Sequence, residues 1–278
     1  MLRYSKMFLS AARIILGLVI SLSLLFVLLY IFQERLIFFP QPLTEEDADK
    51  ISKRHPNAED IAIKSSDGVI LRGWLVKNSK LMRPPLIIYF GGNAEEVSYL
   101  IDEAGRFNGW SLALMNYRGY GLSQGKPSEK NLFSDAISLY DYMMKRDDID
   151  HKKIIVMGRS LGTGVATYLA QMRRVEGVIL VSPFDSLTNI GKKTFPFLPV
   201  NLILRHRFDS ISRAHSISAP LLVLVAADDK IISARHSEKL AQRWGGEHYL
   251  TIIKGQDHNT ISNSETYWKR IKDFLARF

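Results

Sequence analysis

The sequence predicts an α/β fold built on a mostly parallel sheet with helices on both faces. Three observations carry that reading. Short apolar runs recur along the chain, among them Leu86 to Phe90, Leu112 to Met115, Ile154 to Met157, Val178 to Val181 and Leu221 to Val225. Helical stretches fall between them, the pattern of strands buried on both faces. Three successive runs end in glycine turns, and sites in such sheets collect at the carboxyl ends of the strands.

The chain has 278 residues, enough for one full core beyond an apolar N-terminal segment. With 46% hydrophobic and 23% charged residues it is of ordinary globular composition. It holds no cysteine, which excludes disulfides, thiolate metal sites and a cysteine nucleophile. The formal net charge of +9 suggests an anionic partner, nucleic acid or membrane headgroups. Its basic residues are scattered singly or in pairs such as Lys152-Lys153 and Arg173-Arg174, without a nucleic-acid motif. Nucleic-acid binding is therefore not expected.

Taken in order, residues 1–13 read as a short basic tail and 14–33 as a transmembrane signal anchor. The segment Ile14 to Gln33 carries no charge, and twenty helical residues span about 30 Å, the thickness of bilayer hydrocarbon. No small-residue cleavage site follows it. Arg3, Lys6 and Arg13 precede the span, whereas Arg35 and Lys50 follow it. The positive-inside rule then places the N-terminus in the cytoplasm and the large domain outside it, in the periplasm if the source is a Gram-negative bacterium.

Residues 34–59 read as a linker, with Thr44 to Asn57 polar and acidic, a short helix or connection. The main domain is expected at 60–278. Asp67-Gly68 lies between two strand-like runs, a hairpin signal. Glu95 to Phe107, Asn131 to Lys145 and Thr260 to Ala276 read as helices, and Tyr249 to Ile253 as the last strand.

The chemistry centres on Gly158-Arg159-Ser160-Leu161-Gly162, between an apolar strand and the helical run Val165 to Ala170. In that setting a G-x-S-x-G match reads as a nucleophile elbow. Gly158 and Gly162 are expected where a Cβ would collide with the neighbouring strand and helix, holding the Ser160 hydroxyl up into solvent. A serine hydroxyl needs a base within reach and an acid to orient the base. The base should follow the last strand, as His258 does; His55 and His151 precede the elbow, and His206, His215, His236 and His248 lie elsewhere. The acid should follow Leu221 to Val225, where Asp228 and Asp229 are adjacent and only one is expected to reach the imidazole. Asp185, after the preceding strand, is a further candidate. Backbone N–H groups of Leu161 and of the Gly91-Gly92-Asn93-Ala94 turn, at Asn93, are expected to form the oxyanion hole.

These residues resemble those of the α/β-hydrolases, specifically the single-span, membrane-anchored serine hydrolases of the serine-aminopeptidase-like branch. Gly92-Asn93-Ala94, Tyr117-Arg118-Gly119-Tyr120-Gly121, Gly158-Arg159-Ser160-Leu161-Gly162, Ser182-Pro183-Phe184 and His258-Asn259 carry the resemblance, together with Arg35 to Pro40 after the span. It covers roughly residues 34 to 278 and implies the α/β-hydrolase fold. The family's acid stands in an Asp-x-x-Val-Pro frame, which Asp229-Lys230-Ile231-Ile232-Ser233 fits better than Asp228 does. The chain departs from the family at Gly91, Asn116, Val225-Ala226 and Asp257.

Residues 185–215 read as a lid insert, apolar from Phe195 to Leu204 and basic at Lys192, Lys193, Arg205 and Arg207. That composition suits a lid over the site or a surface lying on anionic headgroups. The expectation is a membrane-anchored serine hydrolase acting through an acyl-enzyme on Ser160, with His258 and Asp229 and without metal or organic cofactor. Its expected partners are a small acyl or lipid-like substrate and, through residues 14–33, membrane lipid. Esters or thioesters are expected as substrates; an aminopeptidase-like amide hydrolase and a non-catalytic membrane scaffold are the alternatives.

Overall fold

The computed structural model describes residues 2–278, with side chains from residue 12 onward. The first helix, α1 (Leu2–Ile37), is longer at both ends than the expected span. Its stretch Ala12–Ile37 is apolar and long enough to cross a membrane, and most of its apolar side chains between Ile14 and Phe32 are exposed. Of the basic residues expected before the span, the side chains of Arg3 and Lys6 lie outside the described residues, and Arg13 is exposed.

The connection that follows is partly helical. Thr44 and Asp47 form a reciprocal capping box that starts α2 (Glu45–Arg54). Strands β1 (Ala58–Lys64) and β2 (Ile70–Val76) pair antiparallel across the Asp67-Gly68 turn, as the hairpin signal requires. Next come β3 (Leu86–Phe90), the single-turn α3 (Leu100–Glu103) and β4 (Ser111–Met115). Ser128 caps α4 (Glu129–Met143), and β5 (Ile154–Arg159) then runs directly into α5 (Leu161–Met172).

After β6 (Gly177–Val181), the insert holds three short helices, α6 (Leu187–Thr194), α7 (Val200–Ile203) and α8 (Ser210–Ala214). The chain closes with β7 (Leu221–Ala226), α9 (Ala234–Arg243), β8 (His248–Ile253) and α10 (Glu265–Leu275). Helix α10 starts later than expected, because Thr260 to Asn263 form a tight turn and Ser264 supplies the cap.

The eight strands form one sheet in the order β1-β2-β4-β3-β5-β6-β7-β8. Pairings from β4 to β8 are parallel, and β1 and β2 add an antiparallel edge. Alternation along the strands separates two cores. Leu86, Ile88 and Phe90 of β3 join the cluster with Leu139 of α4, Leu169 of α5 and Leu240 of α9. Ile87 and Tyr89 join the opposite cluster, with Ile101 of α3 and Ile271 of α10. The order of winding reverses between β3 and β5, so a crevice opens beyond their carboxyl ends.

The stretch Glu95 to Phe107 departs from the expected continuous helix. It is broken into α3 flanked by two 3-10 turns. The two glutamates that open it are used elsewhere. Glu95 turns inward to the Gly92 amide and Arg159. The Glu96 carboxylate accepts from the Ser98 amide and from Asn116 Nδ2. Side-chain acceptors that capture nearby amides compete with helix hydrogen bonds.

Candidate active site

The site is assembled from four loops at the carboxyl ends of parallel strands. The first is the β5–α5 turn. Ser160 takes φ 50°, ψ −117°, a conformation that L residues rarely adopt. Its amide donates to the Val181 carbonyl at 2.9 Å, which holds the turn against β6. A Cβ on Gly158 would lie 2.4 Å from the Gly162 carbonyl oxygen, and one on Gly162 would lie 2.1 Å from that of Phe90. Both glycines therefore let α5 start hard against the sheet, as the motif anticipates.

Ser160 does not project into open solvent, contrary to the sequence expectation. It is 9% exposed and forms part of the floor of a cleft of about 400 Å³. Leu36 of α1, Phe184, Leu187 and Ile190 wall the cleft, and these elements screen the hydroxyl from bulk water. The insert expected as a lid supplies Leu187 and Ile190 to this cover, whereas the part played by Leu36 of α1 had no signal in the sequence.

The β7 and β8 loops lie side by side because β7 pairs with β8 up to Ala226 and Ile253. The Asp228 amide donates to the Gln256 carbonyl, and the Asp228 side chain is exposed. Asp229 points inward. Its Oδ2 lies 2.7 Å from His258 Nδ1, and its Oδ1 accepts from the amides of Ile231 and Ile232 at 2.9 and 2.8 Å. Burial opposes the Asp229 charge, but the hydrogen bonds from His258 and these amides outweigh it, and its pKa lies below the ordinary carboxylate value.

An ionised carboxylate can only accept, so His258 Nδ1 carries the proton and donates to Asp229. That tautomer leaves Nε2 as an acceptor. Nε2 lies 3.0 Å from Ser160 Oγ, so the hydroxyl donates to the imidazole. Asp185 is engaged elsewhere: its carboxylate accepts from His236 Nδ1 at 2.7 Å and from the Ser186 amide at 2.8 Å.

Opposite these side chains lies the turn after β3, held beside the elbow by the Phe90–Gly158 pairing. The Gly92 amide donates to Glu95 Oε2 at 2.7 Å. Among the described residues, the amides of Asn93 and Leu161 donate to no protein acceptor. Both residues line the cleft with Ser160, and an unspent amide there is the kind of donor that can receive a developing oxyanion.

Several contacts that shape this site were not foreseen in the sequence. The Glu95 carboxylate, 8% exposed, accepts from Tyr89 and Tyr99 hydroxyls and pairs with Arg159 at 2.9 Å. The Arg159 guanidinium also donates to the His258 carbonyl and to Asn259 Oδ1. One ion pair therefore joins the turn after β3, the elbow and the histidine loop. The Tyr117 hydroxyl donates to the Gly91 carbonyl and that of Tyr120 to the Asn93 carbonyl. The Asn93 side chain also has a role: its Nδ2 donates to the Ile37 carbonyl at the end of α1. Among the described residues, no cluster of three His, Asp or Glu side chains could hold a metal ion.

A doubly covered sheet with a serine on a strained strand-to-helix turn defines the architecture of an α/β-hydrolase. Comparison with known proteins agrees. Residues 84–199 match the family model of the alpha/beta hydrolase fold. An uncharacterized protein of Mycobacterium tuberculosis is 33% identical over 229 residues, which cover 82% of this chain and 80% of that one. An uncharacterized membrane protein of Saccharomyces cerevisiae is 30% identical, covering 98% and 97%. The structure of the Pyrococcus furiosus esterase Pf2001 shares the fold, with a TM-score of 0.66 and 21% identity over 87% of this chain and 97% of that one. The chain belongs to the α/β-hydrolase fold family.

Proposed function

We propose that this chain is a membrane-anchored serine hydrolase that cleaves acyl esters or thioesters through an acyl-enzyme on Ser160. The observation that carries the proposal is the hydrogen-bonded series from Ser160 Oγ through His258 to Asp229, at 3.0 and 2.7 Å. Ser160 Oγ attacks the acyl carbonyl carbon while its proton passes to His258 Nε2. Asp229 holds the imidazole in the required tautomer and stabilises the imidazolium. The amides of Leu161 and Asn93 receive the charge on the carbonyl oxygen. Collapse of the intermediate expels the alcohol or thiol, which takes the proton from His258. Water, deprotonated by His258, then releases the acid and restores Ser160.

The fold shared with an esterase supports the reaction class, and the likeness to a yeast membrane protein supports the anchoring role of α1. Arg3, Lys6 and Arg13 before the span favour an N-terminus in the cytoplasm and a hydrolase domain outside it. Labelling by a fluorophosphonate probe tests the reading. The wild type should label, and Ser160→Ala should lose both labelling and ester turnover. Equal labelling of the two proteins would overturn it.

A further inference from the structure

The cleft over Ser160 shares a wall with a second, more apolar cavity. This second cavity, of about 480 Å³, lies between α1 and the lid helices. Both are lined by Leu36, Ile37, Leu187, Ile190 and Ile231, and the distal one extends to Leu29 of α1 and to Thr194 and Phe195 at the end of α6. The lid is fastened to the anchor helix there. Gln33, 4% exposed, donates through Nε2 to the Ile203 carbonyl at 3.1 Å and accepts from the Arg205 amide at 2.7 Å. Arg205 also pairs with Glu34 and lies over the Tyr30 ring.

From Ile37 back to Leu29 the wall runs about 12 Å along the helix axis. Leu29 lies inside the Ala12–Ile37 stretch that can cross a bilayer. With α1 in a membrane, the far end of the cavity sits at the depth of the acyl chains, and its near end abuts the wall it shares with the cleft over Ser160. Phe197 and Leu202, 96% and 82% exposed, lie on the same lid beside α1.

We propose that α1 is part of the substrate site: the distal cavity takes the long acyl chain of an ester resident in the bilayer and leads its carbonyl to Ser160. The inference rests on the serine-hydrolase reading and names its substrate class. A chain sliding along α1 never crosses water, and each methylene kept in apolar surroundings is worth about fourfold in partitioning. The lid, clamped to α1 by Gln33, forms the outer wall rather than a free flap.

The test uses the full chain in phosphatidylcholine vesicles, with p-nitrophenyl palmitate and p-nitrophenyl butyrate as substrates. The wild type should prefer the palmitate ester. Leu29→Trp and Thr194→Trp, which fill the distal cavity from positions that are not fully buried, should each lower the palmitate-to-butyrate ratio of kcat/KM by about tenfold or more, the worth of two methylenes. Leu29→Ala, which widens the same place, should raise the ratio; opposite signs at one position cannot come from general damage. A ratio that no variant moves, or a wild type indifferent to chain length, would overturn the inference while leaving the hydrolase intact. A wild type that turns over neither ester and takes no fluorophosphonate would bring down the hydrolase reading itself, and the inference with it.

Discussion

At the scale of single residues, the site depends on the state of Asp229. Its carboxylate is held below its ordinary value by His258 and by the amides of Ile231 and Ile232, against the opposing effect of burial. The unfolded group has a pKa near 3.9. Between that value and the lower folded one, the unfolded chain binds the extra proton, so stability rises with pH across this window. The contribution is present above about pH 4 to 5 and is lost as pH falls through the folded pKa. Thermal melts of the wild type and Asp229→Asn should therefore differ most near neutrality and converge in acid; a constant gap would contradict this. In turnover, Asp229→Asn should cost roughly 10³- to 10⁴-fold in kcat by favouring the wrong imidazole tautomer. Ser160→Ala should cost about 10⁴-fold or more. Glu95 acts one step back, as a positioning residue. Glu95→Gln leaves the Arg159 charge without its partner and weakens the hold on the Gly92 amide, for a loss of about 1–3 kcal/mol read from denaturant melts.

At the scale of elements, the β5–α5 junction sets the tolerances. Gly162 faces backbone, the Phe90 carbonyl oxygen, which has no rotamer to yield with. Gly162→Ala should destabilise by about 3 kcal/mol or more, by forcing α5 away from β3. A Cβ on Gly105 would meet nothing within 4 Å, and Gly105→Ala should stay within about 0.5 kcal/mol of the wild type. Denaturant midpoints of the two variants check the contrast. The broken segment after β3 follows the same logic. Helix propensity from Glu95 to Phe107 yields to buried side-chain pairs that Glu95 and Glu96 make with distant residues.

At the scale of the whole molecule, α1 and the site are one body. The Phe39 amide donates to the Asn93 carbonyl, and the Asn93 side chain reaches the Ile37 carbonyl, so the end of α1 is tied to the turn that carries a candidate oxyanion donor. Orientation across the bilayer is directly measurable because the chain has no cysteine. Met82, 89% exposed on the hydrolase domain, can be replaced by cysteine without a background signal. With the N-terminus in the cytoplasm, a membrane-impermeant maleimide should label Met82→Cys in intact cells stripped of any outer membrane. Protection until lysis would reverse the topology.

The alternation of apolar runs and helices, the Gly-x-Ser-x-Gly turn, the uncharged N-terminal span and the hairpin at Asp67-Gly68 were all legible in the amino-acid order. Each is a local signal: periodicity, a steric demand for glycine, or a hydropathy long enough to span lipid. Spacing alone did not decide which of two adjacent aspartates turns toward His258; only the resemblance to the family's Asp-x-x-Val-Pro frame favoured Asp229, whose carboxylate reaches the imidazole in the folded chain. Likewise, the Glu95–Arg159 pair, the depth of Ser160 and the cavity along α1 arise between residues far apart in the chain. They form only when the sheet brings strand ends together and the insert packs against α1, since packing and burial depend on neighbours in space rather than in sequence.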